Sequence, residues 1–138
     1  MFRQIGTRWT FVQTRPGRMR MDTVEPLPFS LDVDAREERT VFRLVGELDM
    51  ATAPQLEEVL RTGEHENAYE IVFDLRGLSF LDSMGLSALL RARRAGRDGH
   101  RKVFFVRGGK VVSKVMQLTK MDDRLDWVDP PEEREEAV

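Results

Sequence analysis

The run Tyr69-Glu-Ile-Val-Phe-Asp-Leu75 constrains the fold more than any other stretch of this chain. It is apolar at odd and even positions alike, rich in β-branched and aromatic residues, and too short to be a buried helix. A segment of that kind is a central strand, so the chain needs a sheet with neighbours on either side of it. The next apolar pattern along the chain narrows the choice. Leu86, Leu89 and Leu90 recur at i, i+3 and i+4, which predicts a helix that starts near Ser83 and ends around Gly96 to Gly99. A strand feeding a helix at this spacing predicts parallel crossovers.

The flanking patterns agree. Phe29-Ser-Leu-Asp-Val33 alternates apolar and polar residues, and Thr40-Val-Phe-Arg-Leu-Val45 follows a charged turn at Asp34–Arg39. The two predict a hairpin that Gly46 ends. Thr52-Ala-Pro-Gln55 fits the N-cap box of a helix, with proline in the first turn where a missing N–H costs little, and Leu56, Val59 and Leu60 as the buried stripe. Lys102-Val-Phe-Phe-Val106 is a further strand, and Gly108-Gly109 leads into a third helix carrying Val111, Val112, Val115, Met116 and Leu118. A short last strand is expected at Leu125–Val128. The order β-β-α-β-α-β-α-β is an α/β fold with a small mixed central sheet of four to five strands flanked by three to four helices.

Charge separates the ends from this core. Residues 1–20 hold five arginines (Arg3, Arg8, Arg15, Arg18, Arg20) and no acid, whereas residues 129–138 hold five acids against Arg134. Neither end sustains a hydrophobic period, so the expected organisation is a flexible basic extension over 1–27, one domain over 28–128 and an acidic tail over 129–138. Through Phe2, Trp9 and Phe11 the basic start would touch a nucleic acid or a membrane. The plainer reading is a disordered extension, or upstream sequence ahead of a start at Met19 or Met21.

The whole chain carries a net charge of -2, which gives no general attraction to nucleic acid or anionic membrane. It has no cysteine, which removes disulfides, thiolate-bound zinc, iron–sulfur clusters and thiol catalysis together. No apolar run of about 18 residues is present for a membrane span, and Met1 to Arg20 lacks the apolar region of a secretory signal. A cytoplasmic protein is expected.

Four constellations are candidates for chemistry. The junction Leu78-Ser-Phe-Leu-Asp-Ser-Met-Gly-Leu86 places a serine at a helix start, but a nucleophile elbow needs glycine where Leu81 stands, and its histidine would have to be His65 or His100 in polar loops. Val106-Arg-Gly-Gly-Lys-Val111 looks like a phosphate loop, yet Phe104 replaces the first glycine and Val111 the hydroxyl residue, so a helix-entry turn is the better reading. Asp74 resembles a phosphoacceptor aspartate, but the two acids that could serve beside it, Glu47 and Asp49, are separated by Leu48 and follow a hairpin strand instead of a first parallel one. The basic run Arg91, Arg93, Arg94, Arg97, Arg101, Lys102 and Arg107 fits a solvated helix face or an acidic protein partner better than a nucleic acid, because Phe104-Phe105 lies on a strand rather than on a stacking platform. Two histidines far apart suggest no metal site, and no cofactor is expected.

Gly46-Glu-Leu-Asp-Met-Ala-Thr-Ala-Pro54, Val72-Phe-Asp-Leu-Arg-Gly-Leu-Ser-Phe-Leu-Asp-Ser-Met-Gly-Leu86 and the strand ending at Val106 together resemble the STAS domain of small bacterial anti-sigma factor antagonists, over about residues 28–128. The resemblance implies a regulatory binding protein with no catalytic site. By that resemblance Ser83 takes the place of the serine that a partner kinase phosphorylates, and Asp82, Met84, Gly85 and Leu86 complete its motif. Glu47, Asp49 and Thr52 match the neighbouring loop and helix entry, and Asp74 the strand-end aspartate of the same partner-binding neighbourhood. Relatives often carry Ser, Thr or Ala where Met84 stands here. The implied partners are an anti-sigma factor with a serine-kinase fold and a phosphatase that resets Ser83, with no direct nucleic-acid contact, no membrane span, and a monomer or weak dimer. The rival from another class is a non-switching STAS scaffold subunit of a signalling or lipid-transport complex, which would need no modifiable serine.

Overall fold

Among the described residues, backbone hydrogen bonding joins six strands, in chain order, into one mixed sheet. The computed structural model describes residues 29–61 and 68–131 in full and residues 2–5 and 8–12 as backbone. The strands are β1 (Phe2–Ile5), β2 (Arg8–Val12), β3 (Ser30–Ala35), β4 (Arg39–Leu48), β5 (Glu70–Leu81) and β6 (Lys102–Val106). β1 to β4 pair antiparallel, and β4, β5 and β6 pair parallel. Parallel neighbours require crossovers, which helices α1 (Ala53–Arg61) and α2 (Ser83–Asp98) supply; α3 (Lys110–Leu118) follows β6.

The apolar run on β5 lies between β4 and β6, as its composition predicts. Its odd positions Ile71, Phe73 and Leu75 join the main core with Leu56 and Val59 of α1, Leu86, Leu89 and Ala92 of α2, and Val112 and Met116 of α3. All three helices therefore cover the same face. Phe42, Phe73 and Phe105 face one another in register across β4, β5 and β6, with centroids 5.3 and 5.4 Å apart. Offset stacking of this kind adds to the burial that holds parallel strands together. On the opposite face Val41, Val72 and Val106 form a second, smaller cluster.

Four expectations are corrected. Gly46 does not end β4: it takes φ 99°, a region that favours glycine, and the strand continues to Leu48 through register shifts against β5. Arg76–Asp82 is not a connector, because β5 runs on to Leu81. Leu125–Val128 is reduced to one bridge, Phe105 to Trp127, flanked by two backbone hydrogen bonds, one donated by the Phe105 N–H to the Asp126 carbonyl and one by the Val128 N–H to the Phe105 carbonyl. Before Phe29 no strand is predicted, yet β1 and β2 extend the sheet, with β2 paired to β3 from Arg8↔Asp34 to Val12↔Ser30. The physical reason is that Phe2, Ile5, Trp9, Thr10, Phe11 and Val12 are strand-favouring types among the arginines, and β3 otherwise offers an unpaired backbone edge. Met19, Met21, His65 and the chain beyond Pro131 lie outside the described residues.

Candidate functional site

The β5–α2 junction is built on one carboxylate. Asp82, with extended backbone, is the N-cap of α2, and its Oδ1 accepts a 2.8 Å hydrogen bond from the Gly85 N–H. Its Oδ2 accepts from the Met50 N–H at 3.3 Å, and its own N–H donates to the Leu48 carbonyl at 3.3 Å. The same residue thus fixes the helix start and ties it to the turn after β4. Gly85 makes the approach possible: a Cβ there would lie 2.2 Å from the Leu48 carbonyl oxygen. Leu86, buried, anchors the first turn in the core.

The turn after β4 is organised by Asp49 and Thr52. Asp49 Oδ1 accepts from the N–H groups of Ala51 at 2.9 Å and Thr52 at 3.1 Å. Thr52, 1% exposed, donates its hydroxyl to the Glu47 carbonyl at 2.7 Å and accepts from the Asp49 N–H at 3.0 Å. The hydroxyl therefore points back into the turn instead of capping α1, which differs from the expected N-cap box. Thr52 shapes the site from beneath, while Glu47 and Asp49 stand at its half-buried rim.

Ser83 is exposed as the first residue of α2. Met84 beside it is 46% exposed, Met50 70% and Phe80 42%, so each of the three segments that lead to this junction carries an exposed large apolar side chain. Neither Met50 nor Phe80 stands out in the sequence motifs. A methionine in a polar turn is the visible signal for the first, whereas Phe80 reads as a connector residue because the apolar run of β5 stops at Leu75. Charges at this end are those of Glu47, Asp49 and Asp82, none of them in an ion pair among the described residues. Among the described residues the Ser83 hydroxyl meets no general base, so the arrangement presents a hydroxyl without activating it.

Asp74 is not brought to this cluster. It is 3% exposed, pairs in register with Arg43 and Val106, and accepts two hydrogen bonds to different oxygens from the Arg76 guanidinium, at 3.0 and 2.7 Å. Arg43 approaches the same carboxylate at 3.9 Å. These groups share the face of Val72 and Val106, opposite the helices, and Asp74 lies seven residues before the end of β5. A strand-end position beside Ser83 is thereby corrected: a side chain on alternate parity of a β5 that continues through two bulges points away from α2.

The other candidates sort by environment. His100 is exposed, and the described residues hold no cluster of three metal-ligating side chains. Phe105 is wholly buried. Most of the basic run has partners: Arg91 with Glu57, Arg93 with the Arg124 carbonyl, Arg101 with the Ala68 carbonyl, and Arg107 with Asp122 and over the Trp127 ring. No helix of the described residues is long and apolar enough to cross a membrane.

A family model of the STAS domain matches residues 30–135. The chain belongs to the STAS domain family. Among curated relatives, an anti-sigma-B factor antagonist of Staphylococcus epidermidis is 27% identical over 78 residues, covering 56% of this chain and 72% of the relative, and its Staphylococcus aureus counterpart matches equally. The crystal structure of an anti-sigma factor antagonist from Mycobacterium paratuberculosis superposes with a TM-score of 0.64 at 25% identity, covering 86% of this STAS chain and 97% of that one. The anti-sigma factor antagonist SpoIIAA shares the fold: its unphosphorylated form gives a TM-score of 0.62 and its phosphorylated form 0.59, each at 24% identity over 75% of this chain and over 90% and 94% of theirs.

Proposed function

We propose that this STAS domain is an anti-sigma factor antagonist whose binding is switched by phosphorylation of Ser83. Unmodified, the face formed by Ser83, Met84, Met50 and Phe80 docks on an anti-sigma factor of serine-kinase fold and frees the sigma factor. The kinase then transfers the γ-phosphoryl group of ATP to the Ser83 oxygen; the hydroxyl proton leaves to the kinase's base, and ADP departs. A phosphatase returns the serine by hydrolysis. Ser83, exposed at the first position of α2 and framed by the Asp82 cap, is the observation that carries this reading.

The physics of the switch is electrostatic. Phosphate adds roughly -1.5 to -2 charges. At a helix N-terminus it meets the positive end of the dipole, so the fold tolerates it despite Asp82. Across the interface nothing offsets it: two charges about 6 Å from one partner carboxylate, at an effective dielectric of ~20, cost on the order of 5 kcal/mol. With salt screening this corresponds to a loss of affinity on the order of a thousandfold. No conformational change is required.

Incubation with the organism's kinase-fold anti-sigma factor and ATP, followed by mass spectrometry, is expected to find phosphate on Ser83. Modification at another residue with Ser83 untouched contradicts the proposal. Ser83→Ala is expected to bind the anti-sigma factor without being released, and Ser83→Asp to keep the fold and lose binding.

A further inference from the structure

Ser83, Ser87, Leu90, Arg94 and Arg97 follow one another at i, i+4, i+7, i+11 and i+14 and so form one stripe along α2, exposed at Ser83, Arg94 and Arg97 and half-buried at Ser87 and Leu90, with buried Gly85, Leu89, Ala92 and Gly96 on the opposite side and buried Leu86 along its edge. The stripe is polarised. Its first turn lies beside Glu47, Asp49 and Asp82, whereas Arg94 and Arg97 at the other end are exposed and have no ion-pair or hydrogen-bond partner among the described residues. Leu90, half-buried and packed in part against the main core, stands midway.

We propose that this stripe is a self-association surface, in which phosphorylated Ser83 of one copy is bound by Arg97 and Arg94 of a second copy. The inference rests on Ser83 being the modified residue, as proposed above. Two α2 helices packed antiparallel about a two-fold axis at Leu90 place residues equidistant from Leu90 opposite each other. Ser83 then faces Arg97, with Arg94 one turn inward, and Leu90 faces its own copy. The distance from Ser83 to Arg97 along the helix, ~21 Å, is the same in both copies, so both pairs close together. Within its own copy the charged side chains beside Ser83 are carboxylates among the described residues, with the helix N-terminus alone to offset them; the second copy brings Arg94 and Arg97, which have no partner among the described residues. Guanidinium and phosphate match as a bidentate, charge-assisted pair. The stripe carries no exposed aromatic residue for base stacking, which favours a protein occupant over a nucleic acid. Because the same first turn of α2 serves both unions, the phosphorylated dimer and the complex with the anti-sigma factor exclude each other.

The test needs no kinase. Phosphoserine is placed at position 83 of the full chain during translation, and the molecular mass in solution is followed by analytical ultracentrifugation at low and high salt. The phosphorylated chain is expected to dimerise about a hundredfold more tightly than the unmodified one, roughly tenfold for each of the two symmetric contacts, and to lose the gain at high salt. The double variant R94E/R97E is expected to abolish the gain, while Lys114→Glu on α3 leaves it intact. In the unmodified background, Ser83→Lys combined with Arg97→Glu is expected to restore association that neither substitution produces alone. A phosphorylated chain that stays monomeric at low salt at the highest attainable concentration overturns the inference, as does a dimer indifferent to charge reversal at both arginines. Monomeric chain that instead binds a labelled DNA duplex through Arg94 and Arg97 also overturns it. Failure of the kinase to modify Ser83 would count against the proposed switch and leave this measurement readable by itself.

Discussion

The side chain of Asp82 shows how much a single residue can decide. Its two oxygens serve different segments, the helix start through Gly85 and the β4–α1 turn through Met50. Asp82→Ala is expected to cost about 1 kcal/mol from the lost cap, read as a lower urea midpoint at unchanged slope; Asp82→Asn, which keeps a cap oxygen, is expected to recover most of it. Gly85 is stricter. Gly85→Ala puts a methyl group 2.2 Å from the Leu48 carbonyl oxygen, a backbone atom that moves only if β4 or α2 moves. We expect roughly 1–3 kcal/mol of destabilisation, and an unchanged urea midpoint would show that α2 shifts without penalty. At this scale the sequence is legible where local chemistry decides. Aspartate before serine reads as a cap because any helix start needs an acceptor there. The exposure of Met50 and Phe80 is not legible, since it depends on how three separate segments meet.

Elements are legible in proportion to the regularity of their period. β5 is evident as a central strand from its apolar run, and α2 from its leucine spacing. The second half of β5 is not, because two register shifts against β4 break the alternation that marks a strand, leaving Arg76, Gly77 and Ser79 to look like a loop. α3 is readable, although only Val112 and Met116 of its apolar residues are buried while Val111 and Leu118 stand 54% and 75% exposed. The bulges also explain the misplacement of Asp74, whose neighbourhood in sequence is not its neighbourhood in space. Asp74 accepts a bidentate pair from a half-exposed Arg76 and lies near Arg43, so Asp74→Asn is expected to lower stability by about 1–3 kcal/mol through weakened charge-assisted hydrogen bonds. Its effect on anti-sigma factor binding is expected to be nil. A variant with native stability and reduced binding would return Asp74 to the partner face.

For the whole molecule, a net charge of -2 conceals a basic beginning, an acidic end and a helix polarised along its exposed side. In the proposed switch the position of the charges decides, since a phosphate on Ser83 would fall on the acidic end of α2. We expect the fold to depend on less than the full chain. The family match begins at residue 30, and the main core runs from Phe29 to Leu125. β1 and β2 add backbone pairing along β3, five register pairs between β2 and β3. A chain beginning at Leu27 would therefore lose a ladder and retain its core. Its new edge strand would carry Asp32 and Asp34, and inward or lateral charge on an edge discourages pairing with other chains. The shortened chain is expected to unfold in one cooperative thermal transition, at a lower Tm than the full chain, with Ser83 phosphorylated at the same rate. Loss of the cooperative transition in calorimetry would mean that residues 1–26 belong to the folding unit, and that the domain starts well before the point at which its hydrophobic period becomes readable.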